Sequence, residues 1–495
     1  MSDSPEIPTS WLRLTLGDAI DYGKTIKAKP SEIPADAWVL ELEDIEKDTS
    51  QLLQRLTFAE RQSKSTKNRF AAGDVLYGKL RPYLNKVLIA NQDGYCTTEI
   101  VPLKPNLAIY ERYLFYWLKH SEFLSYVESV SHGIQMPRLG TEAGLKAPLI
   151  LAPLNEQRRI VAKLDRLFAR SRCAREELGR VSGLVQRYKQ AVLAAACSGR
   201  LTADWREENP NVESASELLE RIQKERDQRY KEEILQLKIQ RKSVPKLSKF
   251  KHLNSSRNIP KNWVSISIES ACLFIIDCLH STPKFISEGE YCVDTTSIEP
   301  RKIVWSKVRK VSKEEFVERT RRMLPSKGDI IFSREGTIGT VVRIANDPSF
   351  CLGQRMMMFR FSPLILPEYA ELYLQSSIFI DQYKPLIIGT SSPHLNIGEI
   401  RKMSFSVPPL NEQKEIVKRV EKLFKVIDII EQEHQKASKL LDRLEKATLS
   451  KAFRGELVPQ DPNDEPAAVL LERIQAERQT QPKRKAKSTR KPKAN

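Results

Sequence analysis

At 495 residues the chain exceeds what one hydrophobic core usually organises, so two to four domains are expected, and 40% hydrophobic residues suffice for ordinary globular cores. A formal charge of +18 with a pI near 9.4 points to a polyanionic partner, nucleic acid before a membrane surface, with solubility alone as the competing reading. No apolar run approaches the ~20 residues that span a bilayer, and seven scattered cysteines without a C-x-x-C or a partnering histidine pair argue against a disulfide framework and a zinc site.

Met1–Ser10 is polar and proline-bearing rather than a secretory leader, so a cytoplasmic location is expected. From Trp11 to Ala152 short apolar runs alternate with turn residues, and a 3.6-residue pattern appears only near Tyr110–Val130, which reads as α+β. A strand is expected at Trp38–Leu42. Gly73-Asp74-Val75-Leu76-Tyr77-Gly78-Lys79 then carries the chain from a turn into a strand, followed at once by Arg81, Tyr83 and Lys86. Tyr95–Leu103 reads as a further strand, with Cys96 as a buried thiol. A helix with Tyr113, Leu114, Trp117 and Leu118 on one face comes next, and the segment closes on Gly133-Ile134-Gln135-Met136-Pro137-Arg138-Leu139.

Pro153-Leu154-Asn155-Glu156-Gln157 opens a long helix, with Asn155 the expected N-cap and Glu156 placed well for the helix dipole. Apolar residues at Val161, Leu164, Phe168, Leu178, Val185 and Val192 recur at nearly 3.5-residue spacing until Gly199 offers a stop. A helix of roughly 43 residues would be about 65 Å long and needs a partner. Gly179 and Gly183 mark a kink or a close helix contact. Beyond Leu201 lies a short helical piece, Leu218-Leu219-Glu220-Arg221-Ile222-Gln223, and then a basic stretch from Lys231 to Lys261 that reads as a linker.

The whole pattern then returns. Gly328-Asp329-Ile330-Ile331-Phe332-Ser333-Arg334 falls 255 residues after the Gly73 run, Cys351 the same distance after Cys96, and Pro409-Leu410-Asn411-Glu412-Gln413 lies 256 after Pro153. The helix match is gapless to Leu201 and Leu457, and supplies a second seam at Val417, Val420, Phe424, Ile427, Leu441 and Leu444. Leu470-Leu471-Glu472-Arg473-Ile474-Gln475 repeats the short helical piece, ahead of a basic, acid-free tail from Thr480 to Asn495 expected to be disordered. The expected parts are residues 1–152 and 259–408 as variable domains, 153–200 and 409–456 as helices, 201–258 as appendix and basic linker, and 457–495 as appendix and tail.

Loops at matched places differ between the copies: Lys79-Leu80-Arg81-Pro82-Tyr83 against Arg334-Glu335-Gly336-Thr337-Ile338, and Gln135-Met136-Pro137-Arg138 against Ser391-Ser392-Pro393-His394. Such side chains read base edges or hold phosphates. Further positive charge surrounds them at Lys64, Lys67 and Arg69 in one copy and at Arg301, Lys302, Lys307, Arg309, Arg321 and Arg322 in the other. The candidate DNA contacts are therefore Lys64, Lys67, Arg69, Lys79, Arg81, Tyr83, Lys86, Gln135 and Arg138, with Arg301, Lys302, Arg309, Arg321, Arg322, Arg334, Thr337, Ser391 and His394. Any single lysine among these reads equally as an ordinary surface charge; recurrence of a basic loop at one architectural point is what favours contact. Catalysis is not expected, because no G-x-x-x-x-G-K-[ST] loop, Asn-Pro-Pro-aromatic run or H-x-x-x-H spacing occurs. A carboxylate-plus-lysine nuclease pattern at Asp74 and Lys79 has Arg334 where the second copy needs lysine.

The duplicated Pro-Leu-Asn-Glu-Gln helix, the Gly-Asp-apolar-apolar run in each variable domain and Ala452-Phe453-Arg454-Gly455-Glu456-Leu457 resemble the DNA-specificity (S) subunit of type I restriction-modification enzymes, the last segment the enterobacterial type. The first copy departs from that segment at Ala196-Cys197-Ser198-Gly199-Arg200-Leu201. The resemblance implies two α+β target-recognition domains in a pseudo-twofold tandem repeat, separated by two long antiparallel helices that form a coiled-coil spacer. Each domain would read half of a split double-stranded DNA site, and helix length would set the gap. It implies two modification (M) subunits that carry S-adenosylmethionine and restriction (R) subunits that use ATP and Mg, with no cofactor, metal or membrane contact for this chain. A nucleic-acid-binding scaffold without sequence preference is the alternative reading.

Overall fold

The computed structural model describes residues 6–131, 136–239, 250, 251, 253, 259–346, 349–390 and 393–480. It divides into two units, Met1–Leu178 with Gln435–Asn495, and Gly179–His434. The basic tail from 481 and most of the expected linker (240–249, 252 and 254–258) lie outside the described residues. The start of that linker is helical, since one helix runs from Ala215 to Ile239.

In the first unit Leu12–Thr15 pairs antiparallel with Pro148–Leu151, tying the beginning of the variable domain to its end. Between them lie a five-stranded sheet, in the order 26–28, 67–70, 94–97, 38–40, 56–57, and a three-stranded sheet, in the order 87–89, 75–78, 100–103. The expected strand at Trp38 forms over Trp38–Leu40. Tyr95–Leu103 is two strands, Gly94–Thr97 and Ile100–Leu103, because a turn at Thr98-Glu99 sends the chain from one sheet to the other. The helix Glu111–Trp117 buries Tyr113, Leu114 and Trp117 as its periodicity predicts. Its Tyr113 hydroxyl donates to Ile150 O at 3.0 Å.

The second unit repeats this plan. Val264–Ser267 pairs antiparallel with Ser404–Val407, and the Tyr369 hydroxyl donates to Ser406 O at 2.7 Å. Strands 272–277, 356–361, 330–333 and 341–343 form one sheet, and 285–286, 309–311, 290–293 and 350–352 another. Among the described residues each unit contains one parallel pairing at its repeated cysteine, Leu40 beside Cys96 and Cys292 beside Cys351, and both Cys96 and Cys351 are fully buried as expected.

The long helices are Leu154–Cys197 and Leu410–Phe453. Asn155 is not the cap: Gln157 N already donates to Pro153 O at 2.9 Å, as Gln413 N does to Pro409 O at 3.0 Å, so the helix starts earlier and Asn155 is exposed in its first turn. What the motif supplies instead is a buried network. Glu156 accepts from Trp11 Nε1 at 2.7 Å and from Gln460; Glu412 accepts from Trp263 Nε1 at 2.9 Å, Thr202 Oγ1 at 2.8 Å and Arg206. Burial pushes the Glu156 carboxyl above its ordinary range. Gln157 Nε2 donates to Ala108 O and Ala152 O, and Gln413 Nε2 to Leu364 O and Pro408 O, all at 2.9 Å.

Within each unit the start of one long helix packs with the end of the other. In the first unit Arg175 pairs with Asp442 at 2.8 Å and Glu445 at 3.1 Å, and in the second Lys189 pairs with Glu431 at 2.8 Å. As one helix advances its partner recedes, which is antiparallel pairing. Val185, Val192, Val420, Phe424 and Ile427 are buried as the seam predicts, whereas Leu444 is exposed. Gly179 and Gly183 have open space where a β-carbon would stand, so no close helix contact forms there, and the helix runs unbroken through both. Gly199 and Gly455 follow the helix ends at φ +79° and +76°, each with a proline against it, Pro260 and Pro8.

Candidate nucleic-acid interface

The Gly-Asp run is a turn that aims a strand. Gly73 and Gly328 adopt φ +89° and +90°, a region glycine enters without the β-carbon penalty. The following carboxylate closes the turn, Asp74 accepting from Ala71 N at 2.8 Å and Asp329 from Ser326 N at 2.9 Å. Burial raises the Asp74 carboxyl above its ordinary range. Asp329 is also gripped by Arg360, at 2.8 and 2.7 Å. It does not pair with Arg334, whose partners are elsewhere, so the second copy forms no carboxylate-plus-cation centre from this run.

The strands launched by these turns end in a clamp of three loops, built the same way twice. In the first domain Lys79 N donates to Glu99 O at 2.9 Å, Leu139 N to Lys79 O at 3.0 Å and Arg81 N to Pro137 O at 2.8 Å. In the second Arg334 N donates to Arg355 O at 3.1 Å, Leu395 N to Arg334 O at 2.9 Å and Gly336 N to Pro393 O at 3.2 Å. Bridges between Leu80 and Arg138, and between Glu335 and His394, complete the match. The backbone frame is thus common to both domains while the side chains on it differ.

In the first domain this frame brings together Lys79, Arg81, Tyr83 and Arg138. Arg81 is exposed at φ +49°, Tyr83 is 60% exposed, and the Arg138 side chain is half exposed with Nε held by Glu99 at 3.1 Å. Lys64 and Arg69 are exposed, but on the five-stranded sheet and the loop before it, outside the clamp. Lys67 corrects the sequence expectation: it is 2% exposed, its ammonium held by Glu41 at 2.5 Å and Ser65 at 3.1 Å, so it is an internal counter-charge. Lys86 likewise turns inward to Leu42 O at 2.7 Å. Gln135 and Ser391 lie outside the described residues.

In the second domain Thr337 is exposed on the clamp and His394 is half-buried within it. Arg334 is the larger correction. Only 6% exposed, it sends Nε to Asp277 Oδ1 at 3.1 Å, Nη2 to His280 Nδ1 at 3.1 Å and Nη1 to Glu335 Oε1 at 2.9 Å, and so holds the loops rather than facing outward. Arg322 reaches the same place through Asp277 O at 3.1 Å. Arg301 lies over the ring of Phe424, 5.4 Å from its centre, and is directed at the long helix rather than the clamp. Lys302 pairs with Glu299 at 2.9 Å, Arg309 with Asp294, and Arg321 with Glu318 at 3.5 Å. Sequence reasoning missed Glu99, Asp277, His280 and Arg355. Glu99 and Arg355 stand 256 residues apart like the motifs, and the register would have exposed them had the turn at Thr98-Glu99 been recognised.

Among the described residues no helix is long and apolar enough to cross a membrane, and no group of three or more His, Cys, Asp or Glu is placed to hold a metal. With that geometry in view, comparison with known proteins gives one consistent family. The profile described as "Type I restriction modification DNA specificity domain" matches residues 16–178 and 260–439. The chain is 31% identical over 226 residues to the type I restriction enzyme EcoDI specificity subunit of Escherichia coli, covering 45% of this chain and 50% of that protein. It is 26% identical over 392 residues to the EcoKI specificity subunit of Escherichia coli strain K12, covering 76% and 74%. A solved chain from the assembly of a type I R-M system superposes with TM-score 0.68 at 18% identity, and the HsdS subunit from Thermoanaerobacter tengcongensis with TM-score 0.51 at 17%. Each match covers 92% of this chain and all of the other, and at these identities the likeness establishes the fold.

Proposed function

We propose, because this chain belongs to the family of type I restriction-modification DNA specificity proteins, that it is the non-catalytic subunit recognising a bipartite double-stranded DNA site and directing methylation and restriction by its partners. The observation that carries this is the twice-built loop clamp: one backbone frame, two unlike sets of side chains. A common frame with different Arg, Lys, Tyr, Thr and His residues suits two domains that read different half-sites, because phosphate contacts position a protein while side chains on base edges specify sequence.

Modification subunits dock on the long helices in this reading. Support comes from large apolar side chains exposed there, among them Val426, Ile429 and Ile430 on the second helix and Leu184 and Tyr188 on the first, which a solitary helix surface would not favour. S-adenosylmethionine is assigned to those modification subunits, and ATP with Mg to restriction subunits. The test is domain exchange. Replacing Trp263–Pro408 by the equivalent segment of another family member changes one half of the methylated sequence and leaves the other intact. A change in both halves contradicts modular reading. If binding ignores sequence and fades steeply with salt, the chain is a non-specific nucleic-acid scaffold instead.

A further inference from the structure

Resting on that two-domain reading, we propose that Arg355 is a specificity-determining residue of the second domain, its guanidinium reading a base edge, with Arg334 and Glu335 as positioning residues. Arg334 is among the candidate contacts expected from the sequence, but it is committed to Asp277, His280 and Glu335, and moving it to a ligand would take from Asp277 and Glu335 the cation they share. Arg355 is in the opposite condition. Its side chain is 45% exposed, and its one ion pair, Nε to Glu335 Oε2, is loose at 3.6 Å. Among the described residues no partner meets its Nη groups, which leaves the planar fork that matches a guanine edge available.

The backbone beneath it is fixed from several sides. Gly353 N donates to Val293 O at 2.7 Å, and a β-carbon on Gly353 would lie 2.6 Å from Asp294 Cβ, so the turn sits close against its neighbour. Thr282 Oγ1 donates to Gln354 Oε1 at 3.0 Å, and Arg355 O accepts from Arg334 N. Arg355 itself is held at φ +71°, a left-handed conformation unfavourable for a residue with a β-carbon, and strain of this kind concentrates where a side chain must be presented. The first domain has Glu99 at the matched position and presents Arg138 instead, where the second has His394. In each clamp an exposed arginine is leashed to a glutamate, Arg138 to Glu99 in the first, beside the exposed Arg81, and Arg355 to Glu335 in the second, but from a different loop, which places the fork differently against the same backbone frame.

The experiment selects bound sequences from a library of randomised duplexes, using the full chain co-expressed with the modification subunits of its system. Wild type selects two separated words. Arg355→Ala is expected to lose discrimination on the order of 10- to 100-fold at a position within one word. The other word stays unchanged, which also shows that the variant is folded. Arg355→Lys does not restore the preference, because an ammonium lacks the fork. The proposal is overturned if Arg355→Ala keeps both words, or if it weakens all sequences equally with a shallower salt dependence, as a phosphate contact would. A wild-type complex that selects no word at all overturns the recognition reading itself, an outcome distinct from either.

Discussion

Lys67 and Arg334 are both cations that adjoin turns in a basic stretch, and both are buried against acidic partners, Lys67 on Glu41 beside the Ser65 hydroxyl and Arg334 on Asp277 and Glu335. Their roles follow from desolvation: a buried charge persists only when paired and hydrogen-bonded, and once it is so paired its removal strands the partners. Arg334→Ala is accordingly expected to destabilise the second unit by about 3 to 5 kcal/mol, since Asp277 and Glu335 lose their shared cation. A lowered urea midpoint for that unit checks it. The exposed Lys64, treated the same way, should change stability by no more than about 0.5 kcal/mol. Equal effects from the two would refute the assignment of Arg334 to the interior.

Elements are joined in this protein by a few buried polar groups. The Pro-Leu-Asn-Glu-Gln segment announces a helix start, yet its glutamate and glutamine face inward and bind parts of the chain far away, Trp263 and Arg206 in the case of Glu412. Glu412→Ala would leave an indole N–H and a hydroxyl without this acceptor and the Arg206 guanidinium without its counter-ion, at about 3 to 5 kcal/mol. Glu412→Gln keeps one acceptor oxygen and should cost less. Thermal unfolding of the two variants tests the ranking, and an Ala variant as stable as the Gln variant would show that the network contributes nothing. The Gly-Asp run belongs to the same scale. Two residues set a positive φ and a carboxylate turn, and this local chemistry was legible in the sequence because it involves neighbours only.

At the scale of the whole molecule, each unit is completed by chain from a distant part of the sequence. Phe453, near the end of the second long helix, packs edge-on against Tyr113 at 5.1 Å and Trp117 at 5.0 Å in the first unit. Phe453→Ala should therefore destabilise the first unit by about 3 to 5 kcal/mol. Limited proteolysis reads this out as new cleavage within residues 6–178, with fragments of 259–434 still protected. Cleavage confined to the neighbourhood of residue 453 would contradict the packing.

The sequence by itself determined the tandem repeat, the α+β character of both variable domains, the long helices and the place of the variable loops, because periodicity and turn chemistry act between near neighbours. It also placed Arg81, Arg138, Thr337 and His394 on the clamp that the fold builds. Only the tertiary structure decided which cations are used up inside. Arg334 meets Asp277 from 57 residues away, and no local pattern announces such a pairing. It also decided that each unit borrows the end of the other long helix, and that Arg355 stands outward on the turn after the strand Phe350–Leu352. Burial of a charge is a long-range property, fixed by what the rest of the chain brings to it.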